Sequence, residues 1–297
     1  MHVSLVANGT LLTAAQPDLR VPWWSFSKTL LAAAALSLVR DGLIGLDAPV
    51  LEGPFTLRQL LRHEAGLADY SELPEYPLAV AAGDAPWSTD EMLQRLDAQR
   101  LRYAPGEGWR YSNVGYTLVA QLIQRVTGLS LEAALQQRVL LPLGLTQVRL
   151  AKTSADLADV CMGSAAGYDP GWVYHGLLVG PLAQASLALD GLLAGQLLPD
   201  ALLREMQAVT RLGGPIPGRP WTSPGYALGL MIGGVASGLT LCGHTGVGPG
   251  SVVVVYRGVH QGNSASCAVF SAGGEEGGVE RLMLQQLSAA LGIAAGP

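Results

Sequence analysis

Ser25 and Lys28 stand three residues apart in Trp23-Trp24-Ser25-Phe26-Ser27-Lys28-Thr29, a stretch that runs directly into the apolar residues 30–36. On a helix, residues i and i+3 share a face, so this spacing sets a hydroxyl beside an amine. A serine at a helix start also has free backbone N–H groups nearby that can steady a developing anion. To accept a proton the amine must be neutral, and at an ordinary pKa near 10.4 only about one lysine in a few thousand is neutral at pH 7. Burial against apolar neighbours supplies the shift of roughly three units that a base needs. The plainer reading is a surface lysine near a capping serine. Against it stands the scarcity of lysine, which occurs only at Lys28 and Lys152.

Two further segments carry matching chemistry. Tyr111-Ser112-Asn113 offers a phenol that can relay a proton and an amide that can orient lysine and substrate, although alone it reads as a helix-entry turn. His244-Thr245-Gly246, followed by Val247, ends a β-prone run whose glycines admit a close backbone approach. The Gly246-x-Gly248-x-Gly250 spacing suggests a dinucleotide loop, but residues 251–256 read as a strand where that motif requires a helix.

The elements that must position these groups follow from periodicity and punctuation. Runs at 3–6 and 10–13 flank Asn8-Gly9, a turn dipeptide that joins antiparallel strands. Residues 25–40 read as the central helix, ended by Asp41-Gly42, and helices follow over 55–62, 88–100, 114–127, 130–140, 182–193 and 199–210. Residues 142–170 are less regular. Short β-prone runs at 226–233, 239–243, 251–256 and 266–272 read as an antiparallel meander, and an amphipathic helix over 278–292 closes the chain. Strands at both ends imply one sheet built from both. The fold class is therefore α+β: a discontinuous sheet domain of residues 1–52 and 211–297 carrying an all-helical domain over 53–210.

Composition removes several classes of partner. A net charge of -5 with 14% charged residues gives no basic surface for nucleic acid. Cys161, Cys242 and Cys267 show neither metal nor disulfide spacing, so no metal and no cofactor are expected, and the setting reads as reducing and cytoplasmic. The N-terminus lacks the basic and long apolar regions of a secretory signal. The uncharged run 220–256 is cut by glycines, Pro224 and Pro249 into strand-sized pieces, so no membrane span is expected.

Taken in order, Ser-x-x-Lys, Tyr-Ser-Asn and His-Thr-Gly resemble the serine β-lactamase and penicillin-binding protein superfamily, in the branch of class C β-lactamases, DD-carboxypeptidases and β-lactamase-like esterases. Segments 38–50 and 56–67 are similar to the stretches just after the nucleophile helix in that family. The resemblance implies an antiparallel sheet flanked by helices, with a site in the cleft beside a helical domain. It implies Ser25 as acylated nucleophile, Lys28 and Tyr111 sharing proton transfer, and Asn113 orienting substrate. His244, Thr245 and Gly246 would line the edge strand, and the N–H groups of Ser25 and Val247 would form the oxyanion hole. The family usually carries a helix ahead of its first strands, so one sheet face is expected to be covered differently here.

Other departures shape the functional expectation. His63-Glu64-Ala65-Gly66 replaces His-Thr-Ser-Gly and His175-Gly176-Leu177 replaces Gly-Gly-Leu; both histidines read as structural. His244 replaces a lysine, and near its usual pKa of about 6.5 it offers little fixed charge to a substrate carboxylate. The leading expectation is a serine hydrolase of small esters or amides, a carboxylesterase first. A DD-carboxypeptidase or weak β-lactamase is the same-fold alternative, and a non-catalytic binding protein the alternative of another class. Trp23, Trp24, Trp109, Trp172 and Tyr174 are candidates for an acyl-pocket wall or for the core. No G-x-S-x-G elbow occurs, which argues against an α/β-hydrolase. Oligomeric state is not encoded in any of these features.

Overall fold

Asn8 and Gly9 supply two positive φ angles, 47° and 78°, as a tight hairpin between right-twisted strands requires. They join His2–Ala7 (β1) to Thr10–Ala14 (β2) in a computed structural model that describes residues 1–165 and 167–293. The remaining strands are Arg20–Pro22 (β3), Arg149–Ala151 (β4), Leu177–Pro181 (β5), Thr210–Arg211 (β6), Trp221–Tyr226 (β7), Met231–Val235 (β8), Thr240–Gly248 (β9), Ser251–His260 (β10) and Asn263–Ala272 (β11). The helices are Ser27–Arg40 (α1), Leu57–Leu61 (α2), Glu75–Ala82 (α3), Thr89–Arg95 (α4), Asn113–Thr127 (α5), Leu131–Leu135 (α6), Leu182–Leu193 (α7), Asp200–Met206 (α8) and Glu276–Ala290 (α9).

One antiparallel sheet runs β2-β1-β11-β10-β9-β8-β7-β6 and a small one runs β3-β5-β4. β1 pairs with β11 from His2 opposite Phe270 to Ala7 opposite Ala265, so the two ends of the chain do build one sheet. The run Val252-Val253-Val254-Val255-Tyr256 is buried throughout because this sheet is covered on both faces. Val253 and Val255 share a core with α1, α5 and α7, while Val252, Val254 and Tyr256 pack against Val279, Met283 and Leu287 of α9.

α1 is buried nearly all round, as its alanine- and leucine-rich sequence requires. Its small side chains admit close neighbours: a Cβ added at Gly229 would lie 2.4 Å from the Ala32 Cβ. Gly229 has φ +76° and turns the chain between β7 and β8, which is why the expected run 226–233 is not one strand. The helix expected over 88–100 stops at Arg95, and that over 130–140 passes from α6 into a wider turn at Gln136–Leu140.

The segment 53–210 is not all helical. It contains β4 and β5, and a fully buried run such as Leu177–Pro181 shows no period by which sequence could separate strand from helix. α7 also lies with the sheet: Ser186 Oγ is 2.8 Å from Ser4 Oγ, and Ser266 Oγ donates to Asp190 Oδ1 at 2.8 Å. Helix α3 was not expected; its Pro77 falls in the first turn, where a missing N–H costs nothing.

Candidate active site

The residue before Ser25 pays for the geometry around it. Trp24 holds φ +39°, a left-handed conformation that a bulky residue keeps only when its surroundings enforce it. Three contacts do so. The indole N–H donates to Ser251 Oγ at 3.0 Å, Tyr168 meets the ring edge-on at 5.5 Å, and Gly248 lies so close that an added Cβ would be 2.4 Å from the ring. Gly246 sits equally close, with its ideal Cβ 3.0 Å from the Ser25 nitrogen and 2.8 Å from the Trp23 carbonyl oxygen. The alternating glycines of β9 therefore admit the Ser25 turn rather than a phosphate.

Ser25 lies in a single 3-10 turn, Trp24–Phe26, two residues before α1 begins at Ser27 rather than inside it. Lys28 falls in the first turn of α1, fully buried, with its Nζ 3.2 Å from Ser25 Oγ. Tyr111 OH donates to the same oxygen at 3.0 Å. The three side chains from distant segments thus meet. Ser27, the second serine of the stretch, accepts from the Leu178 N–H at 3.0 Å and ties the turn to β5.

Burial is the largest influence on Lys28, Tyr111 and His244. It pushes the Lys28 amine down to about 7, with the Asp69 carboxylate pulling weakly the other way. It raises the Tyr111 phenol above its ordinary value, so Tyr111 stays protonated and donates. It lowers His244 to about 3, aided by repulsion from Lys28, so this imidazole is neutral at all working pH values.

Tyr111-Ser112-Asn113 is also a helix entry. Ser112 caps α5, accepting from the Gly115 N–H at 3.0 Å and donating to the Ala68 carbonyl at 2.7 Å. Asp69 receives both the backbone and side-chain N–H of Asn113, holding the amide in place. His63 accepts from the Ser112 N–H at 3.1 Å and packs on Tyr111 with ring centroids 4.3 Å apart, a positioning contact from a loop histidine.

In front of Ser25 opens a cavity of about 620 Å³. Asn113 and Val247 line it; His244, Thr245 and Gly246 do not. His244 lies behind Tyr111, bound to Tyr226 OH at 3.0 Å. The expectation that Thr245 binds substrate needs correction. Its hydroxyl points through the sheet, donating to Glu280 at 2.6 Å and lying 2.8 Å from Tyr256 OH, because strand alternation sends it to the face opposite His244.

Of the aromatic candidates, Trp24 and Trp172 line the cavity, Trp23 is wholly buried, and Trp109 and Tyr174 are elsewhere. Tyr70, Tyr76 and Tyr168 complete the wall, and sequence reasoning missed them. It also missed Asp69, and it read as merely structural His175, whose Nε2 is 3.1 Å from Lys28 Nζ. No periodicity marks either residue, since turns deliver both.

The β-lactamase family model matches residues 3–287, and the chain belongs to that family. It is 32% identical over 148 residues to esterase EstB of Burkholderia gladioli, covering 41% of this chain and 36% of that one. It is 27% identical over 285 residues to a D-aminopeptidase of Cereibacter sphaeroides, covering 85% of this chain and 53% of that one. The chain thus spans about half or less of these curated relatives. The solved D-amino acid amidase of Ochrobactrum anthropi SV3 superposes with a TM-score of 0.80 at 23% identity, over 97% of this chain and 94% of the other, and shares the fold. Among the described residues no helix is long and apolar enough to cross a membrane.

Proposed function

We propose that the chain hydrolyses small esters and amides through an acyl-enzyme on Ser25, with carboxylic esters as its leading substrates. The observation that carries this reading is a buried amine, without a hydrogen-bonded carboxylate, 3.2 Å from a serine hydroxyl. Ser25 Oγ attacks the carbonyl carbon and its proton passes to Lys28 Nζ. Tyr111, kept as a phenol, relays that proton to the leaving group, and water then attacks the acyl carbonyl with the same groups in reverse. The N–H groups of Ser25 and Val247 hold the developing oxyanion, each worth roughly 3–4 kcal/mol in comparable acyl transfer. Asn113 orients the substrate.

The cavity argues for the acyl group. Aromatic rings form its walls, Asp84 and Asp169 stand on its rim, and no lysine or arginine lies among its described lining residues. A substrate carboxylate, as in β-lactams and C-terminal peptides, would meet like charge there, so DD-carboxypeptidase and β-lactamase activity rank below esterase activity. The same two carboxylates favour a second reading, an amidase for amine-bearing acyl groups, as the names of the D-aminopeptidase and D-amino acid amidase relatives suggest. A non-catalytic role is disfavoured by the depressed lysine, a costly feature that binding alone does not need. We also propose two lobes, a sheet lobe of residues 1–52 and 211–297 and a largely helical one drawn from 53–210. The three cysteines are free thiols, which supports a reducing, cytoplasmic setting.

The test pairs turnover with trapping. A short-chain p-nitrophenyl ester should be hydrolysed, a fluorophosphonate should add its mass to Ser25, and Ser25→Ala should lose both with its melting temperature unchanged. Undiminished turnover by Ser25→Ala would overturn the reading. Rates on esters, D-amino acid amides and nitrocefin side by side rank the substrate classes.

A further inference from the structure

His175 is 2% exposed, reaches the wall of the cavity in front of Ser25, and stands beside the one buried lysine. The loop that carries it is fixed on both flanks of the Ser25 turn. Trp23 N–H donates to the Leu178 carbonyl at 2.9 Å, and the Leu178 N–H donates to Ser27 Oγ at 3.0 Å. Between His175 and Leu178 the chain turns at Gly176, with φ +93° and its N–H donating to the Val173 carbonyl at 2.7 Å. A side chain there would be strained and its Cβ would reach within 2.9 Å of Leu150. β5 and the Ser25 turn are therefore one hydrogen-bonded unit, and His175 cannot drift from Lys28.

A neutral amine has two N–H donors and one lone pair, and free rotation about its last bond points that lone pair in three directions. For the amine to take a proton from Ser25, one direction must be selected. The side-chain partners of Lys28 Nζ are Ser25 Oγ at 3.2 Å and His175 Nε2 at 3.1 Å.

We propose that His175 is a positioning residue for Lys28: with its own proton on Nδ1, its Nε2 accepts one amine N–H and so turns the amine lone pair toward Ser25 Oγ. The inference rests on the Ser25 and Lys28 roles proposed above. When the proton moves from Oγ to Nζ, the same Nε2 lone pair stabilises the ammonium, and His175 itself stays neutral. Burial, with repulsion from Lys28, His244 and His63, holds its protonation well below the ordinary histidine range. Other groups facing Lys28 act through space. Asp69 favours the ammonium, the Tyr111 and Tyr116 rings lie 5.2 and 5.8 Å from Nζ, and His63 and His244 are held neutral by burial.

His175→Met and His175→Gln separate acceptor from shape, being matched in length while only glutamine offers an acceptor oxygen. With a p-nitrophenyl ester, His175→Met should lower kcat by at least about tenfold, on the modest side for acid–base machinery, with KM within about twofold. The acid limb of kcat/KM should move to lower pH, because the ammonium has lost a hydrogen bond. His175→Gln should recover most of kcat and return the limb. Unchanged kcat and limb in folded His175→Met overturn the proposal, and so does equal loss in both variants. His175→Leu, read the same way, replaces His175→Met if the latter does not fold. Fluorophosphonate labelling of the unaltered protein separates the two levels. No labelling at Ser25 sinks the hydrolase reading itself, whereas normal labelling with His175→Met indistinguishable from the parent sinks only the role of His175.

Discussion

The two faces of β9 treat buried charge in opposite ways. Behind the strand, Arg219 pairs with Glu280, which also accepts from Thr245 and the Trp221 indole, and Arg219 reaches Glu276 at 3.0 Å as well. Every charge there has a partner of opposite sign, and the pairing holds the Arg219 guanidinium firmly protonated. In front of the strand, Lys28 has only a hydroxyl and an imidazole within hydrogen-bond reach, and the neighbouring imidazoles are neutral. The back face thus keeps a paired guanidinium, 16% exposed, and the front face a wholly buried, discharged amine. Two things separate them: a carboxylate partner, and a guanidinium that keeps its proton at any working pH. A buried cation with a paired carboxylate anchors α9 to the sheet; a buried amine without one becomes a base.

The contrast breaks most sharply at Lys28. Lys28→Met should reduce turnover by roughly a thousandfold or more, since an acid–base group is worth about 10²–10⁴. The same change should raise stability. Between pH 7 and 10.5 the unfolded lysine keeps a proton that the folded one has released, so stability rises with pH through that window and the burial cost is complete below pH 7. Removing the amine should flatten that slope and stabilise the fold below pH 7 by on the order of 4 kcal/mol. Thermal melts at pH 6 and pH 10 check both the sign and the slope.

The back face should fail in the other sense. Glu280→Ala leaves Arg219 with Glu276 alone and the Thr245 hydroxyl without its acceptor, and should cost roughly 3–5 kcal/mol of stability. Turnover per folded molecule should change by less than about tenfold, because Arg219, Thr245, Glu276 and Glu280 are not among the residues lining the cavity. Denaturant melts alongside ester kinetics separate the two effects.

This asymmetry also marks how far sequence could be read. Ser25 and Lys28 were legible because their contact is local, one helical turn of fixed spacing, and the β1–β2 hairpin because Asn8-Gly9 has few other uses. Tyr111 needed the motif as a whole, since its approach to Ser25 spans 86 residues. Thr245 was misplaced because the face it takes depends on strand register, set by its pairing opposite Val254, and its true partner lies on a helix 35 residues away. Asp69 and His175 were missed for the same physical reason. Both reach the site from turns, where nothing in the spacing of residues says which way a side chain will point.

The scarcity of lysine makes the central claim directly measurable. Isotopic labelling of lysine side chains gives two ε-carbon resonances, Lys28 and Lys152, and Lys28→Met assigns them. Lys28 should titrate at about 7, while Lys152, exposed and paired with Glu132, should titrate above its ordinary 10.5. Two resonances that both titrate above 10 would contradict the account, for the amine beside Ser25 would then be an ammonium at neutral pH and no base.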